Sequence, residues 1–317
     1  MNGSPLIVMY HYVWPDDKPV PGGIRPLFAR EFQAQLDWLS ARYEIVGGSE
    51  FLLRIGKKSA DRKPPCLLTF DDGTRDHAEV AAPILAARNL SGVFFVLSSP
   101  AELNKMPATH GLHWLLGQEE KSVWRIFCDY AEANLGGEGA LGSAADAERI
   151  YYYESALRAR IKYAANMALA PEVTEQIVAQ SASAVGMALS DLSAQWFASA
   201  DQIKQMHRLG MEIGMHGVSH RSLQTLGAKG IGEEIRHCSS YLTSLTGRRP
   251  TWWACPFGGS GAAPEALAAM QTALDEVGVR AAVTAVKGVV AAQTNVRELP
   301  RLDTIDLPPR KSAADLA

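Results

Sequence analysis

Cys66-Leu67-Leu68-Thr69-Phe70-Asp71-Asp72-Gly73 is the stretch on which the reading of this chain turns. A short apolar run with strand character ends abruptly in two adjacent carboxylates and a glycine. In parallel α/β folds the loops at the C-terminal ends of strands build the site, so a charged turn placed there points to chemistry. Two neighbouring carboxylates repel each other, and burial would protonate one unless a cation intervenes. A metal resolves the conflict: one aspartate binds it while the other stays ionised as a base. Alone, the tripeptide is more often a solvated Asp-Gly turn.

Outward from this point the chain alternates. Leu6–Met9 reads as a strand, Phe28, Phe32, Leu36 and Leu39 mark one helical face, and Glu44–Val46 is a weak strand before Gly47-Gly48. Beyond the aspartates come a helix over Ala78–Arg88 and a strand over Gly92–Leu97. From about Pro100 to Phe197 no strand pattern appears, only helical stretches interrupted by glycines between 136 and 142. Alternation resumes with a capping box at Ser199 and Gln202, a helix ended by Gly210, and a strand Glu212–Met215. A helix over Ile231–Leu245, a strand Trp252–Cys255, a helix Pro264–Val277, a strand Ala281–Thr284 and a last strand near Arg297–Leu299 follow. Seven or eight strands joined by helices predict a parallel sheet closed, or nearly closed, into a barrel. The expected organisation is a barrel in two parts, 1–99 and 198–317, with a helical insertion over 100–197.

His216 and His220 follow the strand Glu212–Met215 with the spacing His-x-x-x-His. One helical turn would put both rings on one face. With an aspartate they make a three-ligand set with open positions, and both halves sit at predicted strand ends. His11 follows the first strand on the same face, where a packed rim histidine is the competing reading. Pro256-Phe257-Gly258 closes the strand Trp252–Cys255 and could aim backbone N–H groups at an oxyanion. His110 and His113 lie in the insertion without an acidic neighbour in sequence. His77, His207 and His237 read as helix-face residues. Tyr151, Tyr152, Tyr153, Trp114 and Trp124 suit either sugar stacking or packing inside the insertion.

Composition narrows the classes. At 47% hydrophobic and 21% charged the chain is of ordinary globular type, and a net charge of -3 with no basic stripe excludes a nucleic-acid partner. No run approaches a membrane span. The N-terminus has no secretory pattern, and Cys66, Cys128, Cys238 and Cys255 form no Cys-x-x-Cys pair, so reduced thiols and a cytoplasmic location are expected.

Thr69-Phe70-Asp71-Asp72-Gly73 and His216-Gly217-Val218-Ser219-His220 resemble the first two motifs of the polysaccharide deacetylases, the NodB-homology group of carbohydrate esterase family four. The resemblance covers about residues 5–100 and 197–305. It implies a distorted (β/α)7 barrel and hydrolysis of acetyl groups on sugars. Asp71 would be the base, and Asp72, His216 and His220 would hold the metal. Two departures stand out: Ala254 occupies the place of the family's third-motif arginine, and no late Leu-His motif follows. A branch acting on poly-N-acetylglucosamine is similar in both respects and takes its acid histidine from an N-terminal strand, where Met9-Tyr10-His11 fits. Arg301 is the candidate to replace the missing arginine, against the alternative of a surface salt bridge.

The expected protein is therefore a metal-dependent hydrolase that removes an N-acyl group, acetyl first, from an amino sugar or sugar conjugate. Asp71 serves as base and His11 as acid, with Phe257, Gly258 and Arg301 around the substrate or oxyanion. One divalent ion is expected, zinc by default for this ligand set, with iron, cobalt or nickel also suited. The alternatives are a deformylase or other linear amide hydrolase acting on a small molecule, and an inactive carbohydrate-binding scaffold. Association with further copies of the chain is left open.

Overall fold

The computed structural model describes residues 4–21, 23–57, 62–259 and 262–311. Its strands are β1 (Leu6–Tyr10), β2 (Val13–Trp14), β3 (Leu27–Phe28), β4 (Glu44–Ile45), β5 (Pro65–Phe70), β6 (Val93–Val96), β7 (Glu212–Met215), β8 (Trp252–Ala254), β9 (Ala281–Lys287) and β10 (Leu299–Asp303). Strands β5 to β10 lie side by side in chain order, and β1 pairs with both β10 and β5. All these pairings are parallel, so seven strands close a barrel ringed by helices. The short β4 pairs with the start of β5, and β2 and β3 form a separate pair.

Side-chain parity sorts the core into two layers. Ile7, Leu67, Val93, Phe95, Trp252, Ala254, Ala281, Val283 and Leu299 pack in one cluster. Their strand neighbours Leu6, Val8, Leu68, Phe94, Ile213, Met215, Trp253 and Ala282 pack in another that includes the helix residues Phe32, Leu36 and Leu39. The first layer fills the barrel and the second seals it against the helices. The parity reaches the site. Thr69 and Asp71 continue the inward row of Leu67, His11 continues that of Ile7, and Arg301 follows Leu299.

Local rules explain the element ends. Ser199 and Gln202 form the expected capping box on the helix Ala200–Arg208. The segment after the aspartates begins as a π turn, His77–Ala81, before the α-helix Ala82–Ala87. Pro83 has no N–H to return to the preceding turn, which disturbs the α pattern there. The last strand lies later than the Arg297–Leu299 expected from sequence. Arg297 and Glu298 instead form a turn on Asn295. Pro300 sits inside β10, where the register with β9 shifts between Leu299 and Arg301, an irregularity that accommodates a residue without a donor. Arg301 is thereby a barrel residue and not a residue beyond the strand.

Residues 98–197 are helical throughout their regular elements, with a core of their own around Leu112, Leu115, Phe127, Ile161, Ile177 and Val178. Both stems of this excursion are fixed at one end of the barrel. On leaving β6, Ser98 and Ser99 donate to the carbonyls of Gly217 and Val218 at 3.1 and 3.0 Å. On returning, Phe197 bridges Thr74, and Ala198 donates to the carbonyl of Gly73 at 3.1 Å. The excursion is thus stitched to the two loops that carry the aspartates and the histidines. Among the described residues no helix is long and apolar enough to cross a membrane, and the four cysteines are free.

Candidate active site

β5 delivers Asp71 into the barrel mouth, and its backbone N–H is held by the carbonyl of Tyr10 on β1 at 2.9 Å. The next residue would ordinarily point the opposite way. Asp72 avoids this by adopting a left-handed backbone, φ 82°, and Gly73 follows at φ 70°. Gly73 also passes close to β6: a Cβ there would lie 3.1 Å from the Val96 Cα. Glycine is therefore required both by conformation and by space. Of the five non-glycine residues with positive φ among those described, two are asparagines, which tolerate it; the others are Asp72, His220 and Phe257. Such backbone costs on the order of 1–3 kcal/mol per residue and gathers where function over-determines the geometry.

His216 and His220 come together, though not on a helix turn as their spacing suggested. The segment after β7 is a bend, with His220 at φ 57°. This local reversal folds the second ring back against the first, with ring centroids 4.9 Å apart. Nε2 of His216 and Nε2 of His220 stand 3.3 and 3.5 Å from Oδ1 of Asp72. Donor atoms on a tetrahedral ion with bonds of about 2.1 Å are themselves ~3.4 Å apart, so this spacing suits a shared cation. Oδ1 of Asp72 is buried with no hydrogen-bond partner, as a ligand oxygen awaiting an ion would be. The three side chains offer ligand atoms within 4.8 Å of one another. The donor set, two imidazoles and a carboxylate, fits a divalent transition ion.

The surroundings tune these groups. His216 Nδ1 donates to the Ala254 carbonyl at 2.8 Å, which leaves Nε2 free to ligate and fixes the ring. Burial lowers the pKa of His216, but Asp72 and Asp71 outweigh it and the net shift is upward. Burial pushes His220 down to about 3 despite Asp72, helped by the neighbouring imidazoles, so it is a neutral ring. Burial raises the Asp72 carboxyl, yet His110 and then His216 and His220 hold it well below the usual carboxylate range.

Arg301 answers the question left by the missing third-motif arginine. Its Nη1 and Nη2 donate to Oδ1 and Oδ2 of Asp71 at 2.8 and 2.7 Å, a two-pronged contact buried on both sides. Nη1 also reaches Thr69 Oγ1 at 3.2 Å, and Nε donates to the Thr284 carbonyl at 2.8 Å. With every nitrogen engaged, Arg301 stands behind the carboxylate and is not a substrate-facing group. Burial raises the Asp71 pKa, and the Arg301 charge overrides it, so the carboxyl lies below its ordinary value and stays ionised.

The remaining expected residues lie around this centre. His11 leaves β1 beside it and is coupled electrostatically to Asp71 and His220. His77, read as a helix-face residue, opens the π turn and is fully buried, stacked edge-on against Phe70 and Phe94, with Nε2 against the His11 carbonyl. Its neighbour Asp76 accepts from the Val13 N–H at 2.6 Å, so this turn clamps the chain that carries His11. Phe257 packs edge-on against His220, centroids 4.6 Å apart. The Gly258 N–H is spent on the Cys255 carbonyl at 2.8 Å, which removes it as an oxyanion donor and leaves Gly258 as a shape residue. His110, from the insertion helix Ala108–Leu116 and without a site role in the sequence pattern, has its Nε2 3.2 Å from Oδ2 of Asp72. No acidic neighbour in sequence could have flagged it, because its partner is distant along the chain.

A family model described as polysaccharide deacetylase matches residues 169–282, a span with His216, His220 and Phe257 that begins beyond Asp71 and Asp72. No individually curated protein matches the sequence significantly. Among solved structures the chain is similar to the Streptococcus pyogenes deacetylase PplD in complex with acetate, at TM-score 0.57 and 15% identity over 96% of this chain and 93% of that one. It is also similar to IcaB from Ammonifex degensii, at TM-score 0.55 and 16% identity over 95% and 91%. A de-N-acetylase from Aggregatibacter actinomycetemcomitans gives TM-score 0.55 and 16% identity over 95% of each chain. At such identities the likeness is one of fold, whereas the match over residues 169–282 is a likeness of sequence to the polysaccharide deacetylase model.

Proposed function

We propose that the protein is a metal-dependent carbohydrate N-deacylase that hydrolyses an N-acyl group, most simply acetyl, from an amino sugar or sugar conjugate. The observation that carries this reading is the division of labour between two adjacent buried carboxylates. Asp71 is held ionised by the Arg301 fork, while Asp72 faces two imidazoles. Amide hydrolysis by water needs both: a fixed base and an electrophilic centre beside it. The family match and the fold shared with named deacetylases, one of them in complex with acetate, support the same chemistry.

Asp72, His216 and His220 would hold the ion, for which zinc is the first choice. When bound there, such an ion would supply Lewis acidity to the acyl oxygen and to the attacking water. Asp71 takes the water's proton on a carboxylate oxygen whose second lone pair already faces Arg301. The guanidinium keeps the plane of the base fixed and disfavours a lasting protonated form, so the proton is passed on. His11 protonates the departing nitrogen as the C–N bond breaks, and the Phe257 N–H, on the loop whose ring packs against His220, is assigned as the donor to the developing oxyanion. Water and amide are converted to a free amine and a carboxylate. The burial of Asp71, Asp72 and His216, with His110 of the helical excursion set against Asp72, favours a small or single-ended substrate over a polymer lying in an open groove. The test is to load the protein with zinc and offer N-acetyl and N-formyl amino sugars, free, conjugated and as short oligomers, beside simple formamides. New amine and matched carboxylate, read by mass spectrometry, are expected from an acylated sugar. Turnover of the formamides alone would favour a small-amide hydrolase, and no product from any compound would favour an inactive scaffold.

A further inference from the structure

His110 is buried to 1% exposure, closed in by Phe197, His220 and His113 at ring-centroid distances of 4.9, 5.5 and 5.7 Å. Neither of its ring nitrogens has an aligned hydrogen bond. An imidazole placed so deep, with both polar atoms unserved, is costly unless a partner is at hand. The partner in reach is Asp72, and the contact is divided by oxygen: His110 approaches Oδ2 at 3.2 Å, while His216 and His220 approach Oδ1. The placement is also built. The Thr109 hydroxyl donates to the Asn166 side chain at 2.9 Å, and Asn166 donates to the Tyr151 hydroxyl at 3.2 Å. Gly23 packs so tightly on the His113 carbonyl that a Cβ would fall 1.7 Å from it. The helix bearing His110 is therefore pinned from the insertion side and from the barrel side.

We propose that His110 holds the outer oxygen of Asp72, so that Oδ1 is presented to the ion with His216 and His220, and that the insertion thereby completes the metal centre. This rests on the metal reading above. His110 acts through Asp72 and is a positioning residue. A ligand carboxylate anchored through its second oxygen keeps one orientation, and loss of such an anchor typically weakens metal binding about 10–100-fold. The excursion would then be needed for metal affinity as well as for enclosure, which gives a reason for both stems being sewn to the motif loops.

The experiment strips the full-length protein with a chelator and titrates zinc against a competing chromophoric chelator, for wild type, His110→Ala, His110→Gln and His216→Ala. His110→Ala is expected to bind zinc about 10–100-fold more weakly. His110→Gln, whose amide can still donate to Oδ2, should recover most of the affinity. X-ray absorption on the zinc forms should count two imidazoles in wild type and in His110→Ala alike. The thermal midpoint of each apoprotein separates packing from metal positioning: a purely structural His110 would lower the apo midpoint and leave the affinity of the folded protein unchanged. Wild-type affinity in His110→Ala overturns the inference. So does a count of three imidazoles falling to two, which would make His110 a direct ligand. If His216→Ala loses zinc while His110→Ala does not, this inference alone falls; if wild type takes up none, the metal reading falls with it.

Discussion

Replacing Arg301 by glutamine is the sharpest probe of how the site is held together. The side chain removed is the charged partner of a carboxylate with 3% exposure, through two hydrogen bonds of 2.7 and 2.8 Å. At a charge separation of ~4 Å and an effective dielectric of about 20, the attraction is about 4 kcal/mol. Breaking a buried pair from one side is typically worth ~3–5 kcal/mol, because the other charge is left unpaired. That is a large share of the ~5–15 kcal/mol that holds a domain folded. The loss must depend on pH. In the wild type the folded pKa of Asp71 is depressed, so its stabilisation is present above the unfolded value of ~3.9 and disappears as pH falls through the folded pKa. Without Arg301, burial is opposed only by His216 and His11, so the folded pKa of Asp71 moves upward and the variant loses stability relative to wild type at neutral pH. The gap between the proteins should be widest at neutral pH and narrow towards acid. Urea unfolding of the apoproteins at neutral and acidic pH measures it, and Asp71→Asn combined with Arg301→Gln should restore much of the neutral-pH loss. In the metal-loaded enzyme the acid limb of the rate profile should move upward. A variant within about 0.5 kcal/mol of wild type at neutral pH, the range of an ordinary surface change, would refute the argument.

Other outcomes follow from the same geometry. His216→Ala and His220→Ala should lose bound metal by elemental analysis, whereas Asp71→Asn should keep it and lose turnover by roughly 10²–10⁴-fold; equal metal in all three would remove the ligand assignment. His11→Ala should slow turnover at unchanged metal content, and metal loss in that variant would make His11 a ligand. Gly258→Ala should lower the thermal midpoint. Its φ is 67° and the new Cβ would meet the Ala285 backbone nitrogen at 2.7 Å, a contact that costs on the order of 1–3 kcal/mol; an unchanged midpoint would show that the Phe257 loop moves aside freely.

The barrel was legible in the sequence because its signals are local. Apolar runs such as Cys66–Phe70 and Val93–Val96 need only their own composition to read as buried strands, and Ser199 with Gln202 needs only three residues to start a helix. The pairing of Asp71-Asp72 with His216 and His220 was legible for the same reason, since each half ends a recognisable strand and parity carries it to the barrel mouth. Three things were decided only in three dimensions. The left-handed turns at Asp72 and His220, which aim the ligand atoms, are uncommon outside glycine and are held by the surrounding packing. The choice of Arg301 as the tether required the register shift at Pro300, set by a strand pair that local pattern does not encode. The contact of His110 with Asp72 joins a helix of the excursion to a strand end of the barrel. Sequence periodicity describes each element's faces, but which foreign side chain closes over a face is fixed by the packing of the whole chain.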